Sequence, residues 1–198
     1  MNDEGTYRLL TVVLLGLAVG ISSYYRRQAD RQGGRLGGAS GLRLVVILRL
    51  LSLLVLLPLF GYLINPAWVS WARIDLPPWL RWLGAGGALL ASLLSIWIFA
   101  SIGTNISPSH ATRTDHRLVT HGPYRWVRHP LYSVGMLLYG SLTLLTGLWW
   151  LGVGSLIPLA VLLWRTPREE ARLIEAFGEE YRVYMRRTGR FLPLRIGR

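Results

Sequence analysis

YSVGMLLYGSLTLLTGLWWLGVGSLIPLAVLLW, residues 132–164, is an uncharged apolar tract of 33 residues. A membrane-spanning helix needs about 20 such residues, so the tract is too long for one ordinary crossing and short for two. Gly147, followed by Trp149 and Trp150, offers a turn near its middle. The tract reads as a helical hairpin of two short, tilted helices. Backbone groups cannot go unpaired in lipid, which excludes loose strands. Upstream lie three further apolar blocks, residues 9–25 (stretching to Thr6), 44–64 and 79–102. The expected crossings are therefore 6–25, 42–64, 79–102, 131–146 and 148–165. The first block follows Asp3 and Glu4 and lacks a basic leader and a small-residue cleavage site, so it reads as a span and not as a removable signal. The fold class is all-α: a polytopic membrane helical bundle of about five transmembrane helices, one membrane domain over 1–198, with a short cytoplasmic C-terminal helix.

Composition and charge agree. Of 198 residues, 52% are hydrophobic and 16% charged, against roughly a quarter charged in soluble domains. The absence of cysteine excludes disulfide scaffolds, cysteine zinc sites and thiol nucleophiles. All 22 basic residues are arginine, and the net charge is +12. With five crossings, 18 of them share one side: Arg26, Arg27, Arg31, Arg35 and Arg43 in the first loop, Arg113, Arg117, Arg125 and Arg128 in the third, and nine from Arg165 onward. The other side has Arg8, Arg73 and Arg81, and Arg49 lies within a helix. Such a split follows the positive-inside rule and puts the C-terminus in the cytoplasm. Four crossings would abolish it. Arginines dispersed over the loops of one membrane face speak against nucleic acid.

Trp68, Trp71, Trp79 and Trp82 bracket the second loop as an interface belt. Gly16 and Gly20 form a GxxxG pair, and Gly84, Gly86 and Gly87 open the third helix. Small residues let helices approach, and packing within the chain is preferred here to dimerisation. Nothing in the sequence reads on oligomeric state.

Beyond Trp164, the residues Thr166, Pro167 and Glu169 read as N-cap, first helical residue and capping-box partner of a new helix. Leu173, Phe177, Tyr181 and Tyr184 follow on one face. Glu170 shares that face and is expected to point at the membrane-embedded body. Gly178 is expected to break this helix, and Gly189 to end it.

The third loop gathers His110, His116, His121 and His129 with Tyr124, Arg125 and Arg128. Polar groups against a membrane core are functional suspects. Their spacing matches no usual metal-ligand pattern. Ser101, Ser107 and Ser109 are near, but without a nucleophile elbow. No Gly-rich phosphate loop follows a strand.

The run His116-Arg-Leu-Val-Thr-His-Gly-Pro-Tyr-Arg-Trp-Val-Arg-His-Pro-Leu-Tyr132 resembles the signature loop of the isoprenylcysteine carboxyl methyltransferase family. Glu169-Glu170, Phe177-Gly-Glu-Glu-Tyr181, Tyr184 and Arg190-Phe-Leu-Pro193 are similar to its C-terminal motif. The resemblance covers 103–193, which it marks as the cofactor-binding region. It implies an integral membrane enzyme using S-adenosylmethionine, with a pocket of His116, Arg117, Leu118, Val119, Tyr124, His129, Pro130, Leu131, Tyr132 and Glu169. Arg165 matches a family arginine that faces the acceptor, and serves as the catalytic and substrate-binding residue. The implied reaction is carboxyl O-methylation of an isoprenylcysteine-like acceptor, with a phospholipid amine or small thiol as alternatives. The implied partners are the bilayer and a lipophilic small-molecule or prenylated acceptor.

The chemistry of these residues is compatible with that reading. A carboxylate such as Glu169 accepts hydrogen bonds from a ribose or an ammonium. Histidine and tyrosine hydrogen-bond a carboxylate or stack on adenine. His-Gly-Pro-Tyr is turn chemistry, and Pro130 can start a helix with His129 at its entrance. Val134 stands where the family often has glycine, and Pro167 and Arg168 where some members have acidic residues. These departures bear on the acceptor. A catalytically silent scaffold or transporter subunit is the alternative from another class; it would bind no cofactor.

Overall fold

The computed structural model describes residues 3–32, 42–103 and 118–193. Within them the chain forms seven helices and no strand: α1 (Asp3–Gln32), α2 (Leu42–Ile64), α3 (Pro78–Ile102), α4 (Pro130–Thr146), α5 (Trp149–Gly154), α6 (Leu156–Phe177) and α7 (Glu179–Arg187). Short 3-10 helices cover Pro66–Ala72 and Gly122–Arg125. α1, α3 and the continuous run of α5 and α6 are long and apolar enough to cross a membrane, and Leu50–Ile64 and Pro130–Thr146 are shorter apolar helices. The chain is an integral, multi-pass helical membrane protein.

The hairpin turns at Gly147. Its φ is +73°, and an added Cβ would lie 2.6 Å from the carbonyl oxygen of Ile74. The following helix is split: Ser155 separates α5 from α6 without leaving helical dihedrals.

α3 and α4 are the closest pair in the bundle. A Cβ on Gly84 would meet Leu145 N at 2.5 Å and Ser141 O at 2.6 Å. Ala85, Ala88, Ala91 and Ser92 continue the buried face of α3. Small side chains here replace hydrophobic bulk with backbone proximity. Gly16 and Gly20 do the opposite of what their spacing suggests. Both are exposed, and nothing lies within 4 Å of an added Cβ on either. α1 packs through Tyr7, Leu14 and Ala29 instead, so among the described residues the glycine pair packs against nothing.

The three arginines of the minority side share one polar cluster at that end. Arg81 Nη1 and Arg73 Nη2 reach Glu4 Oε2 at 2.8 and 3.0 Å. Arg81 Nε donates to Leu145 O at 2.9 Å, and Arg8 donates to Ile64 O at 2.9 Å. Tyr62 donates to Glu4 Oε1 at 2.6 Å. Every cationic head is engaged, which is what permits charge so close to lipid. Trp68, Trp71, Trp79 and Trp82, all exposed, ring this end.

Pro167 does not begin a helix. α6 runs through it from Leu156 to Phe177. Thr166 caps nothing; its hydroxyl donates back to Leu162 O at 2.7 Å, one turn earlier. Such back-bonding lets a threonine sit inside a helix. The last crossing therefore continues without interruption into the tail. Gly178 separates α6 from α7. α7 ends at Arg187, and Gly189 beyond it bridges to Val127. Leu173 and Phe177 are half-buried, and Tyr181 and Tyr184 are buried.

Candidate functional site

The site lies where the start of α4, the middle of α6 and the segment after α7 meet. The turn after His121 folds as a 3-10 helix, Gly122–Arg125, with His121 as its N-cap and Pro123 in its second position. This buries Tyr124 among Ala91, Ile98 and Val134, with Val119 and Leu131 packed against them. Tyr184 donates its hydroxyl to Tyr124 O at 2.6 Å, which fixes α7 under the turn. Burial raises the Tyr184 phenol to about 12. Burial, and then Tyr184 and Glu169, raises Tyr124 as well. Both stay protonated donors at neutral pH.

Residues 126–129 pair with 189–190 as a short parallel bridge. Gly189 N donates to Trp126 O at 2.9 Å, Arg128 N to Gly189 O at 2.8 Å, and His129 N to Arg190 O at 3.0 Å. Ser133 Oγ donates to Phe191 O. The C-terminal segment is thus strapped across the entrance of α4, where His129 is the N-cap and Pro130 the first residue. The His129 ring stacks on Tyr132, with centroids 5.3 Å apart and planes at 5°. Phe191 closes on both rings, at 5.9 and 6.3 Å.

Against these rings α6 presents two adjacent carboxylates with different tasks. Glu169 Oε2 accepts from the Tyr132 hydroxyl at 3.0 Å. Glu170, with only 4% of its side chain exposed, accepts from Arg128 Nε at 2.9 Å and from Arg190 Nη2 at 2.6 Å. His129 Nε2 stands 3.5 Å from Glu170 Oε1, beyond ordinary hydrogen-bond length. This buried nitrogen has no hydrogen bond among the described residues. Arg128 also donates to Met185 O at 3.0 Å and to Thr188 O. Arg165 is half-buried on α6, one turn before Glu169.

Of the residues expected in the site, the structure brings together Tyr124, His129, Pro130, Tyr132, Arg165 and Glu169. Val119 and Leu131 pack on its apolar side, and Leu118 is half-buried. His116 and Arg117 lie outside the described residues. His121 is exposed. The expectation that Glu170 faces the body is met: it is 3% exposed. Its hydrogen-bond partners are Arg128 and Arg190, with the His129 ring beside them. Arg128, in the third-loop cluster, and Arg190 and Phe191, in the C-terminal motif, are not assigned to the pocket by the sequence, yet they meet here. The signal for Arg128 was available: a carboxylate on the buried face of a tail helix requires a cation, and Arg128 adjoins His129.

The donor set suits S-adenosylmethionine: an acceptor carboxylate at Glu169, three ring faces, and an unsatisfied buried imidazole nitrogen.

The sequence profile of the phospholipid methyltransferase family matches residues 79–180. The chain is similar to protein-S-isoprenylcysteine O-methyltransferase of Rattus norvegicus, 30% identical over 136 residues, 58% of this chain and 42% of that protein. The Homo sapiens protein of the same name is 27% identical over 143 residues, 63% and 45% of the two chains. A probable protein-S-isoprenylcysteine O-methyltransferase of Oryza sativa subsp. indica is 36% identical over 85 residues, 39% and 41%. The chain spans less than half the length of these curated relatives. A solved eukaryotic intramembrane Ras methyltransferase, isoprenylcysteine carboxyl methyltransferase, superposes with a TM-score of 0.58 at 20% identity, over 93% of this chain and 68% of the other. The fold is shared.

Proposed function

The chain belongs to the phospholipid methyltransferase family, and from that premise we propose that it methylates a lipophilic acceptor in the membrane, with S-adenosylmethionine as donor and an isoprenylcysteine-type carboxylate as acceptor. The observation that carries this reading is the pairing of Glu169 with Tyr132 beside the stacked rings of His129 and Tyr132. S-adenosylmethionine, when bound, supplies an electrophilic methyl group on a sulfonium. Residues 103–193 form the cofactor region. Glu169 accepts hydrogen bonds from hydroxyl or ammonium groups. His129 Nε2 supplies a polar contact, Tyr124 and Tyr132 supply ring faces, and Leu118, Val119, Pro130 and Leu131 keep water out. His116 and Arg117 are assigned to the same pocket by the sequence motif alone. The cofactor side of the site and the C-terminus face the cytoplasm, in keeping with the arginine asymmetry.

Arg165 orients the acceptor by charge-assisted hydrogen bonds. Its charge favours a carboxylate over an amine. A carboxylate is already deprotonated, so the chain need supply no base, and alignment carries the catalysis. A phospholipid amine would arrive as a cation beside Arg165 and would need to lose a proton. The family's name, phospholipid methyltransferase, keeps that acceptor as the second reading.

The test is calorimetry with S-adenosylhomocysteine on detergent-purified protein, beside Glu169→Ala. Micromolar binding that disappears in the variant is the expected result. A folded wild type that binds nothing would move the non-catalytic scaffold to the front. An acceptor panel of prenylcysteine, phospholipid amine and small thiol then separates the chemistries.

A further inference from the structure

Phe191 stands over a part of the pocket that a ligand must reach. His129 is 7% exposed, and its Nε2 is buried without a hydrogen bond among the described residues. A ligand can touch that nitrogen only if a neighbour moves. Tyr132, Glu170 and Phe191 lie against the ring. Tyr132 is held within α4 and tied to Glu169 on α6. Glu170 is held within α6 and tied to Arg128 and Arg190. Phe191 belongs to no helix. It follows α7 in the segment 188–193 and leans on His129 and Tyr132 with its plane tilted by 42° and 37°. Of the three, Phe191 is the cover that can lift.

The attachments of this strap weaken along its length. Thr188 and Gly189 are buried. Thr188 O accepts from Arg128, Gly189 N donates to Trp126 O, and Gly189 O accepts from Arg128 N. Arg190 O accepts from His129 N at 3.0 Å, while the Arg190 head, 43% exposed, reaches Glu170. Phe191 is half-buried, and its carbonyl accepts from Ser133 Oγ. Leu192 is 75% exposed. The hold is firm at Gly189 and slight at Phe191, a gradient of local stability with its fixed point at one end. Phe191 can therefore leave the two rings while the backbone bridge at Gly189 stays closed. We propose that residues 191–193 form a lid, in which Phe191 lifts from His129 and Tyr132 to admit the cofactor and closes behind it. The inference rests on reading the pocket as a cofactor site. An apolar ring closing there keeps water from the reacting groups.

The test has two readouts on the full chain in non-ionic detergent. Surface plasmon resonance gives the association and dissociation rates of S-adenosylhomocysteine. Diethyl pyrocarbonate without ligand, read by mass spectrometry, gives access to the His129 imidazole against the exposed His121. Ser133→Ala removes the bond to Phe191 O and alters no ring. It should raise both rates about fivefold, the value of one hydrogen bond. His129 acylation should rise by a similar factor, with His121 unchanged. Phe191→Ala should raise all three by about tenfold. Leu192→Ala, next along the strap, should change none. Association rates unchanged in Ser133→Ala and Phe191→Ala would overturn the lid and keep the cofactor, with Phe191 a fixed wall. Acylation of His121 rising in step with His129 would mean general loosening and would overturn the lid as well. A wild type that binds no S-adenosylhomocysteine, while His129 access rises in both variants, would overturn the cofactor reading and support the lid.

Discussion

Tyr132 on α4 and Glu169 on α6 are joined by a hydrogen bond of 3.0 Å, although 37 residues separate them in the chain. The phenol is the donor, so the carboxylate keeps its charge and its direction. Tyr132→Phe should leave the fold intact and lose one hydrogen bond to a charged group, about 1.5 kcal/mol. S-adenosylhomocysteine should then bind about tenfold more weakly, by calorimetry. Unchanged affinity would mean that Tyr132 does not position Glu169 for a ligand.

Glu170 is the structural member of the pair. Its buried carboxylate holds Arg128, whose side chain is 9% exposed, and Arg190, which is 43% exposed. Glu170→Ala leaves Arg128 buried without a counter-charge and should cost about 3 kcal/mol. Arg190→Gln should cost less than about 1 kcal/mol, because its head is partly in solvent. Thermal unfolding in detergent reads both. In Glu170→Ala, limited proteolysis should also cut residues 188–193, since the strap loses its anchor. Resistance equal to wild type would show that the backbone bridge at Gly189 suffices alone.

What the sequence made legible here is whatever periodicity or local chemistry controls. The apolar blocks became helices, Gly147 became the turn, and Glu170 faced inward because it shares a helical face with Leu173 and Phe177. Pro167 misled, because proline after a threonine ordinarily marks a helix start, whereas here the helix runs on through it and the Thr166 hydroxyl bonds back to Leu162 O. The glycine pair of α1 misled because spacing states which residues share a face, not which face meets a neighbour. The strap was illegible for another reason. Gly189 meets Val127 through backbone groups, and Arg128 meets Glu170 across 42 residues. Neither contact leaves a local pattern. His116 and Arg117 lie outside the described residues, so the motif remains their only support.

The glycines of α1 and α3 should respond oppositely to substitution. Gly84→Val puts atoms into the backbone of α4 at Ser141 and Leu145 and should destabilise by about 3 kcal/mol. Gly16→Ala meets nothing within 4 Å and should be neutral or stabilise by up to about 1 kcal/mol through lower chain entropy. Melting temperatures in one detergent test both. Equal losses would mean that α1 packs through its glycine face after all.

Alkaline pH should loosen the tail. Burial raises Tyr184 to about 12 and raises Tyr181 and Tyr124 as well, against about 10 in the unfolded chain. The folded state therefore favours the protonated phenols. That stabilisation is complete below pH 10 and is lost as pH rises from about 10 towards 12. Melting temperature should hold between pH 7 and 9 and fall above 10. Tyr184→Phe should start lower, by about 1 kcal/mol for the bond to Tyr124 O, and fall less steeply. A slope identical to wild type would place the transition in other groups.

Arg165 should separate acceptor from cofactor. It sits half-buried on α6, one turn before Glu169. A guanidinium so placed is available to an anionic acceptor. Arg165→Ala should leave S-adenosylhomocysteine affinity within about twofold, while kcat/KM for a prenylcysteine carboxylate falls about 10- to 100-fold, the value of a charge-assisted hydrogen bond. Arg165→Lys should recover part of that loss, because it restores the charge without the fork. With an amine acceptor the sign should invert, since removing a cation eases the approach of another. A drop confined to cofactor affinity would assign Arg165 to the cofactor, and unchanged turnover of every acceptor would remove it from the reaction.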